Sequence, residues 1–122
     1  MCKVLVIDDD VDILEVIKMM LVKKGLLVDT LFAGDKVFDH IEEHKPDIIL
    51  LDINLGTHDG RVICKKIKEL STTQHIPVII FSANHNIKQS AMDNKADHFL
   101  AKPFDMQELL ALVKSYCPHE LN

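Results

Sequence analysis

Three short runs, KVLVI (3–7), DIILL (47–51) and PVIIF (77–81), are apolar at nearly every position and rich in Val and Ile. A strand with one face in water alternates polar and apolar residues; a strand covered on both faces does not. A chain with such strands must also supply helices for both faces of a parallel sheet. Two further runs, LLVDT (26–30) and DHFLA (97–101), read as the second and fifth strands. Between the runs the period becomes helical. Leu14, Ile17 and Leu21 share a stripe within 10–24, with Asp10 as N-cap of a helix starting at Val11 and Gly25 as its stop. Val37, Phe38 and Ile41 form the stripe of 35–44, and Val62, Ile63, Ile67 and Leu70 that of 60–70, where Asp59 is placed to cap. The stretch 86–94 reads as a short polar helix. In 105–116, Leu109, Leu112 and Val113 face inward, and Asp105 with Glu108 has capping-box spacing. The pattern is βα repeated five times, which argues a doubly wound α/β fold with helices on both faces.

The 122 residues suit one domain over 1–122, and 48% hydrophobic content is that of a chain with a core rather than a disordered one. A formal charge of −5 disfavours direct nucleic-acid binding and anionic membranes. No apolar run nears the ~20 residues of a membrane span. The N-terminus meets acid too early for a signal peptide. Cys2, Cys64 and Cys117 are odd in number and lack C-x-x-C spacing, so neither a disulfide framework nor a zinc ribbon is indicated, and a reducing, cytoplasmic setting is expected.

In an open parallel sheet, ligands bind beyond the carboxyl ends of the strands. Asp8 and Asp9 follow the first strand, Asp52 the third, Ser82 the fourth, and Lys102 with Pro103 the fifth. Each has an ordinary reading by itself, as a cap, a turn residue or a local hydrogen-bonder. Together they place three carboxylates, a hydroxyl and an ammonium on one edge. Clustered carboxylates need a cation, and oxygen donors suit Mg²⁺. A cation beside Lys102 and Ser82 suits a phosphoryl group, for which a carboxylate is a competent nucleophile. Asp52, between the acidic pair and the Ser/Lys side, is the candidate.

The segments VLVIDDD, LLDINLGTHDG, VIIFSA and ADHFLAKPF together resemble the receiver domain of bacterial two-component response regulators, over residues 3 to about 116. The resemblance implies a flavodoxin-like (βα)5 fold with strand order 2-1-3-4-5. It implies that Asp52 accepts a phosphoryl group from the phosphohistidine of a sensor histidine kinase or phosphotransfer protein. By the same resemblance Asp8, Asp9, Asp52 and the backbone carbonyl of Asn54 hold Mg²⁺, with Mn²⁺ as a substitute. Ser82 and Lys102 bind the phosphoryl group, Lys102–Pro103 is cis, and Phe99 with Ser82 forms the switch. Asn54 and Asn84 occupy the positions that tune dephosphorylation. The output is a change in the face made by the fourth helix, fifth strand and fifth helix, read by a downstream protein, an output domain or a second copy in a phosphorylation-dependent homodimer. The chain is then a signalling switch rather than an enzyme with a separate substrate.

Departures from the family's pattern are also legible. Gly56 stands where Pro is usual and is expected to loosen the loop; Phe99 replaces Tyr, and Ser82 the commoner Thr. Leu112 stands where receivers linked to winged-helix domains carry an Arg that pairs with the acid matching Asp97, which weakens the case for that dimer. The chain has seven histidines, none of which is expected to have H-x-x-x-H spacing on a helix or a Cys partner, so each, including His58, His85 and His98 near strand ends, reads as a solvated or loop histidine. His58 is expected to lend phosphorylation some pH dependence. Two alternatives stand beside this reading. The run D-D-D-V (8–11) suggests the D-x-D-x-[TV] motif of haloacid-dehalogenase-type phosphatases, with Asp8 as nucleophile and Asp10 as general acid. A docking module of receiver fold that takes no phosphate is the other. No output domain is expected after CPHELN (117–122), which fits a stand-alone regulator or an excised receiver.

Overall fold

The computed structural model describes residues 2–117, without the side chain of His85; the expected C-terminal segment after Cys117 lies outside them. Strands β1 (Lys3–Ile7), β2 (Leu27–Leu31), β3 (Ile48–Asp52), β4 (Val78–Ser82) and β5 (His98–Ala101) form one parallel sheet in the order β2-β1-β3-β4-β5. Helices α1 (Val11–Lys23), α2 (Val37–His44), α3 (Gly60–Glu69) and α4 (Lys88–Asp93) connect them, with a 3₁₀ turn at His85–Ile87 before α4, and α5 (Met106–Tyr116) follows β5. This is the expected doubly wound fold. All but β1 begin one residue later than their apolar runs. Asp52 and Ser82 are therefore the last residues of their strands, held in register opposite Phe81 and Ala101.

Alternate residues of the central strands feed two separate cores. Val4, Val6, Leu50, Ile79 and Phe81 pack with Leu14, Ile17 and Leu21 of α1 and Leu109, Leu110 and Val113 of α5. Leu5, Ile7, Ile49, Leu51 and Ile80 pack with Val37 and Ile41 of α2, Ile63, Cys64 and Ile67 of α3, and Ala91 of α4. Phe38 is half-buried against the second core and Leu112 against the first.

The ends of the helices follow their chemistry. Asp10 caps α1 by accepting from the Asp12 and Ile13 N–H groups. At the other end, Gly25 N–H donates to Val22 O and Leu26 N–H to Leu21 O, with Gly25 at φ 90°. That paired exit needs a left-handed residue, which glycine supplies without a Cβ penalty. Asp59 caps α3 and Asp105 caps α5. Asp105 caps through Gln107 N–H, and neither bond of the expected capping box with Glu108 forms among the described residues.

Two expectations need correcting. Val62 is 65% exposed and does not join the α3 stripe; Cys64 takes the inward position instead. Leu70 is the C-cap, already extended, and partly exposed. Cys2 and Cys117, which indicated no bridge from spacing, are paired as a disulfide with Cα atoms 6.1 Å apart. The pairing joins the start of β1 to the end of α5 across 115 residues, a proximity that only the fold creates. Cys64 is free and buried, and burial, aided by the charge of Asp97, pushes its thiol up to about 12. It is therefore not a nucleophile at neutral pH.

Asp97, just before β5, is satisfied within the chain. Its Oδ2 accepts from Val78 N–H (2.8 Å) and from Lys68 Nζ (3.0 Å), and Lys68 Nζ also donates to Ile76 O (2.9 Å). Asp97→Ala leaves a largely buried ammonium and a strand N–H without their shared acceptor. It is expected to cost roughly 1–3 kcal/mol, read as a lower urea midpoint with unchanged slope.

Candidate functional site

The five strands end together at the carboxyl edge of the sheet. Asp8 follows β1 directly and is fully buried. A carboxylate there needs partners, and it has two. Its Oδ1 accepts from Asp10 N–H (2.9 Å), and its Oδ2 accepts from Lys102 Nζ (2.7 Å). Asp9, next along the chain, is exposed. Asp52, 6% exposed at the tip of β3, lies 3.4 Å from the same Lys102 Nζ. Asp8, Asp9 and Asp52 can each offer one carboxylate oxygen to a common group within 4.8 Å.

Lys102 is therefore the charge around which the acids are arranged. Its Nζ lies over the Phe81 ring, 4.7 Å from the centroid. Its backbone N–H donates to Ser82 O (2.8 Å), and the Lys102–Pro103 bond is cis. Ser82 is buried, and its Oγ accepts from Asn84 N–H (3.1 Å). Burial, and then the charge of Asp8, push the Asp52 carboxyl up to about 6, against the pull of Lys102 and of the Ile53 N–H. Asp52 is thus mostly ionised at neutral pH, but as a carboxylate short of compensating positive charge. The donor set is all oxygen and anionic, which fits a hard divalent cation such as Mg²⁺.

The segment after Asp52 turns back at once. Asn54–Leu55 pairs antiparallel with His58–Asp59, and Gly56, at φ 68°, takes the turn. Thr57 is not left-handed, so the two-residue loop has the pattern of a type II′ turn, which places glycine first. Proline, fixed near −65°, cannot adopt this φ. Gly56 therefore closes a hairpin rather than loosening a loop. The hairpin leads into Gly60, whose N–H donates to Ile53 O at 2.7 Å.

The remaining expected residues lie around this edge. Asn54 is exposed on the hairpin, and Asn84 caps the 3₁₀ turn by accepting from Asn86 N–H. Phe99 is half-buried against the core shared by α2, α3 and α4. Asp10 is engaged as a helix cap, and Asp12 stands where the phosphatase motif asks for Thr or Val. Both observations count against that alternative. His58 sits on the hairpin and His98 stacks edge-on against Tyr116.

Three groups escape a reading of sequence alone. Phe81 reads only as a strand residue. Arg61 belongs to no motif in the sequence, yet it grips Asp59 with two nitrogens (2.6 and 3.1 Å) and reaches Ser90 Oγ on α4 with a third (3.0 Å). That grip holds the Asp59 carboxyl below its usual range. His40 and His44 are the third, and they correct the expectation that no histidines have H-x-x-x-H spacing on a helix: they are so spaced on α2, and Asp29 joins them in the fold.

Known proteins share this architecture and part of this sequence. A family model described as the response regulator receiver domain matches residues 4–114. The chain is 32% identical over 117 residues to the response regulator ArlR of Staphylococcus aureus, covering 94% of this chain and 52% of that protein. It thus spans about half the length of the curated relatives it matches. Among solved structures, a two-component response regulator from Clostridium difficile superposes with a TM-score of 0.86 at 29% identity, covering 98% of each chain. Response regulator TrrA from Thermotoga maritima, solved in complex with Mg²⁺ and BeF, superposes with a TM-score of 0.86 at 25% identity, over 95% of this chain and 99% of that one. A match across nearly the whole domain, carried by both sequence and fold, means that the chain belongs to the response regulator receiver domain family.

Proposed function

We propose that this chain is a phosphoacceptor switch in a two-component relay, with Asp52 as the residue that takes the phosphoryl group. The observation that carries the reading is a buried carboxylate at a strand tip, pushed up by burial and by Asp8, with one ammonium 3.4 Å away. Asp52 is ionised enough at pH 7 to act as nucleophile. Its oxygen forms the new O–P bond as the N–P bond to the donor imidazole breaks, and the histidine leaves as neutral imidazole after protonation. Asp8, Asp9, Asp52 and the Asn54 carbonyl would hold Mg²⁺, which supplies positive charge to the phosphoryl oxygens. Mn²⁺ offers the same oxygen chemistry.

Lys102 sits where it can pair with a phosphoryl oxygen on Asp52 while keeping its contact with Asp8. The Ser82 hydroxyl accepts from Asn84 N–H, which leaves its proton for another phosphoryl oxygen. Drawing Ser82 toward Asp52 perturbs the end of β4 and frees space for Phe99 to move inward. The face of α4, β5 and α5 then changes shape, a local charge event biasing a two-state element. That face would meet a downstream protein, an output domain or a second copy. By the family resemblance, Asn54 and Asn84 would govern water access and hence the lifetime of the phosphorylated form. Asp8 is a poorer nucleophile than Asp52 because Lys102 and Asp10 N–H already engage both its oxygens.

The test is intact mass after incubation with acetyl phosphate and Mg²⁺. One phosphoryl group is expected, lost with EDTA and with Asp52→Asn. No gain by a folded protein overturns the reading. A gain that survives in Asp52→Asn and disappears in Asp8→Asn transfers the role to Asp8.

A further inference from the structure

A second set of metal-ligating side chains lies on α2 and on the edge strand β2. His40 and His44 are one helical turn apart, so they share a face of α2. Their rings stack with centroids 4.3 Å apart and a tilt of 30°. Asp29, from the middle of β2, brings its Oδ2 to 3.2 Å from His40 Nε2. One donor atom from each of the three lies within 4.8 Å of the others. A simple His–Asp hydrogen bond accounts for two members of this group. It does not account for His44, whose ring packs on that of His40 and whose Nε2 has a further carboxylate, Glu43 Oε1, at 3.9 Å.

We infer that Asp29, His40 and His44 form a binding site for a divalent transition metal, Zn²⁺ foremost, distinct from the acids at the ends of β1 and β3. Tetrahedral Zn²⁺ with bonds of about 2.0–2.2 Å sets its donors about 3.3–3.5 Å apart. The Asp29–His40 pair already has close to that separation. His44 has the freedom to close the rest, since its side chain is 43% exposed, whereas His40 is held at 15%. The fourth position falls to Glu43 or to water. Coordination by His40 Nε2 requires its lone pair, so the proton facing Asp29 moves to Nδ1 and the ring stays neutral. Two imidazoles and a carboxylate select Zn²⁺ over Mg²⁺, which prefers oxygen alone. The two sites therefore sort cations by ligand chemistry. A metal here would pin α2 to the outermost strand, at the edge of the sheet opposite β5.

The experiment titrates Zn²⁺ into the full chain against a chromophoric zinc indicator, with millimolar Mg²⁺ present throughout to occupy the acidic site. One Zn²⁺ per chain at micromolar affinity is expected, weakened at least about tenfold in His44→Gln with the circular dichroism spectrum unchanged. The affinity in Asp52→Asn should equal that of the wild type. Absence of binding overturns the site, as does equal affinity in His44→Gln, or a loss confined to Asp52→Asn, which would put the ion on the acids. Should His44→Gln fail to fold, Asp29→Asn makes the same comparison, with the same outcomes deciding it.

Discussion

Gly60→Ala is expected to destabilise the protein by about 2–4 kcal/mol and to displace the backbone of the proposed phosphoacceptor. An added Cβ at Gly60 would run into the carbonyl oxygen of Asp52 and come within 2.9 Å of both Asp52 C and Ile53 Cα. These are backbone atoms, so no side-chain rotation relieves the contact. The close approach arises because the hairpin returns the chain to the tip of β3, where Gly60 N–H bonds Ile53 O. Relief therefore means shifting the backbone at Asp52 and Ile53 or at the hairpin end, which disturbs the 3.4 Å approach of Asp52 to Lys102. A lower denaturant midpoint together with slower phosphorylation is the expected pair of results. Gly56→Ala makes the contrast. Nothing lies within 4 Å of its Cβ position, so only the cost of φ 68° remains, about 1 kcal/mol. Equal effects of the two substitutions would show that close packing at Gly60 is not what the glycine serves.

Asp52→Asn is expected to do two opposite things. It removes the proposed phosphoacceptor, and it stabilises the metal-free protein at pH 7 by on the order of 1–3 kcal/mol. The folded protein holds the Asp52 proton more tightly than the ordinary carboxyl range near 3.8, with the group pushed up to about 6. A raised carboxyl pKa means that the charge is disfavoured in the fold. The destabilisation is fully present above about 6 and fades as pH falls through that value toward the unfolded pKa. The wild type should therefore gain stability relative to Asp52→Asn between pH 7 and pH 4.5. Thermal unfolding of both proteins across that range checks the sign. A wild type that loses ground to the variant on acidification would mean that Lys102 dominates the site instead. Saturating Mg²⁺ at pH 7 should narrow the gap, because a cation stabilises the same charge that Asn removes.

Much of this was legible because the strongest signals coincide. The central strands are apolar on both faces, and no other element explains three such runs separated by helical periods. The acids were legible by position, since a strand tip is where a parallel sheet presents side chains. The α3 stripe was misjudged for a physical reason. Val62 and Cys64 flank Ile63 on opposite sides of the helix, and hydropathy favours valine. The sheet covers the side that carries Gly60, Ile63, Cys64 and Ile67. Arg61 could not be read, because its fork depends on a side-chain conformation and on Ser90, 29 residues away. The Cys2–Cys117 pairing lay beyond any spacing rule for a similar reason. Gly56 was read as a missing proline, when its conformational freedom is what the hairpin uses.

The alternation along the central strands sets how the molecule can be divided. In β1, Val4 and Val6 belong to the core under α1 and α5, while Leu5 and Ile7 belong to the core under α2, α3 and α4. β3 and β4 are shared in the same way. Neither helical layer owns a strand, so a fragment carrying one layer retains a sheet with one bare hydrophobic face. The domain is thus indivisible by cutting between layers. Chain breaks that complementing fragments or circular permutants could tolerate are confined to loops, and among those to the amino edge of the sheet, where no proposed phosphoryl-site residue sits.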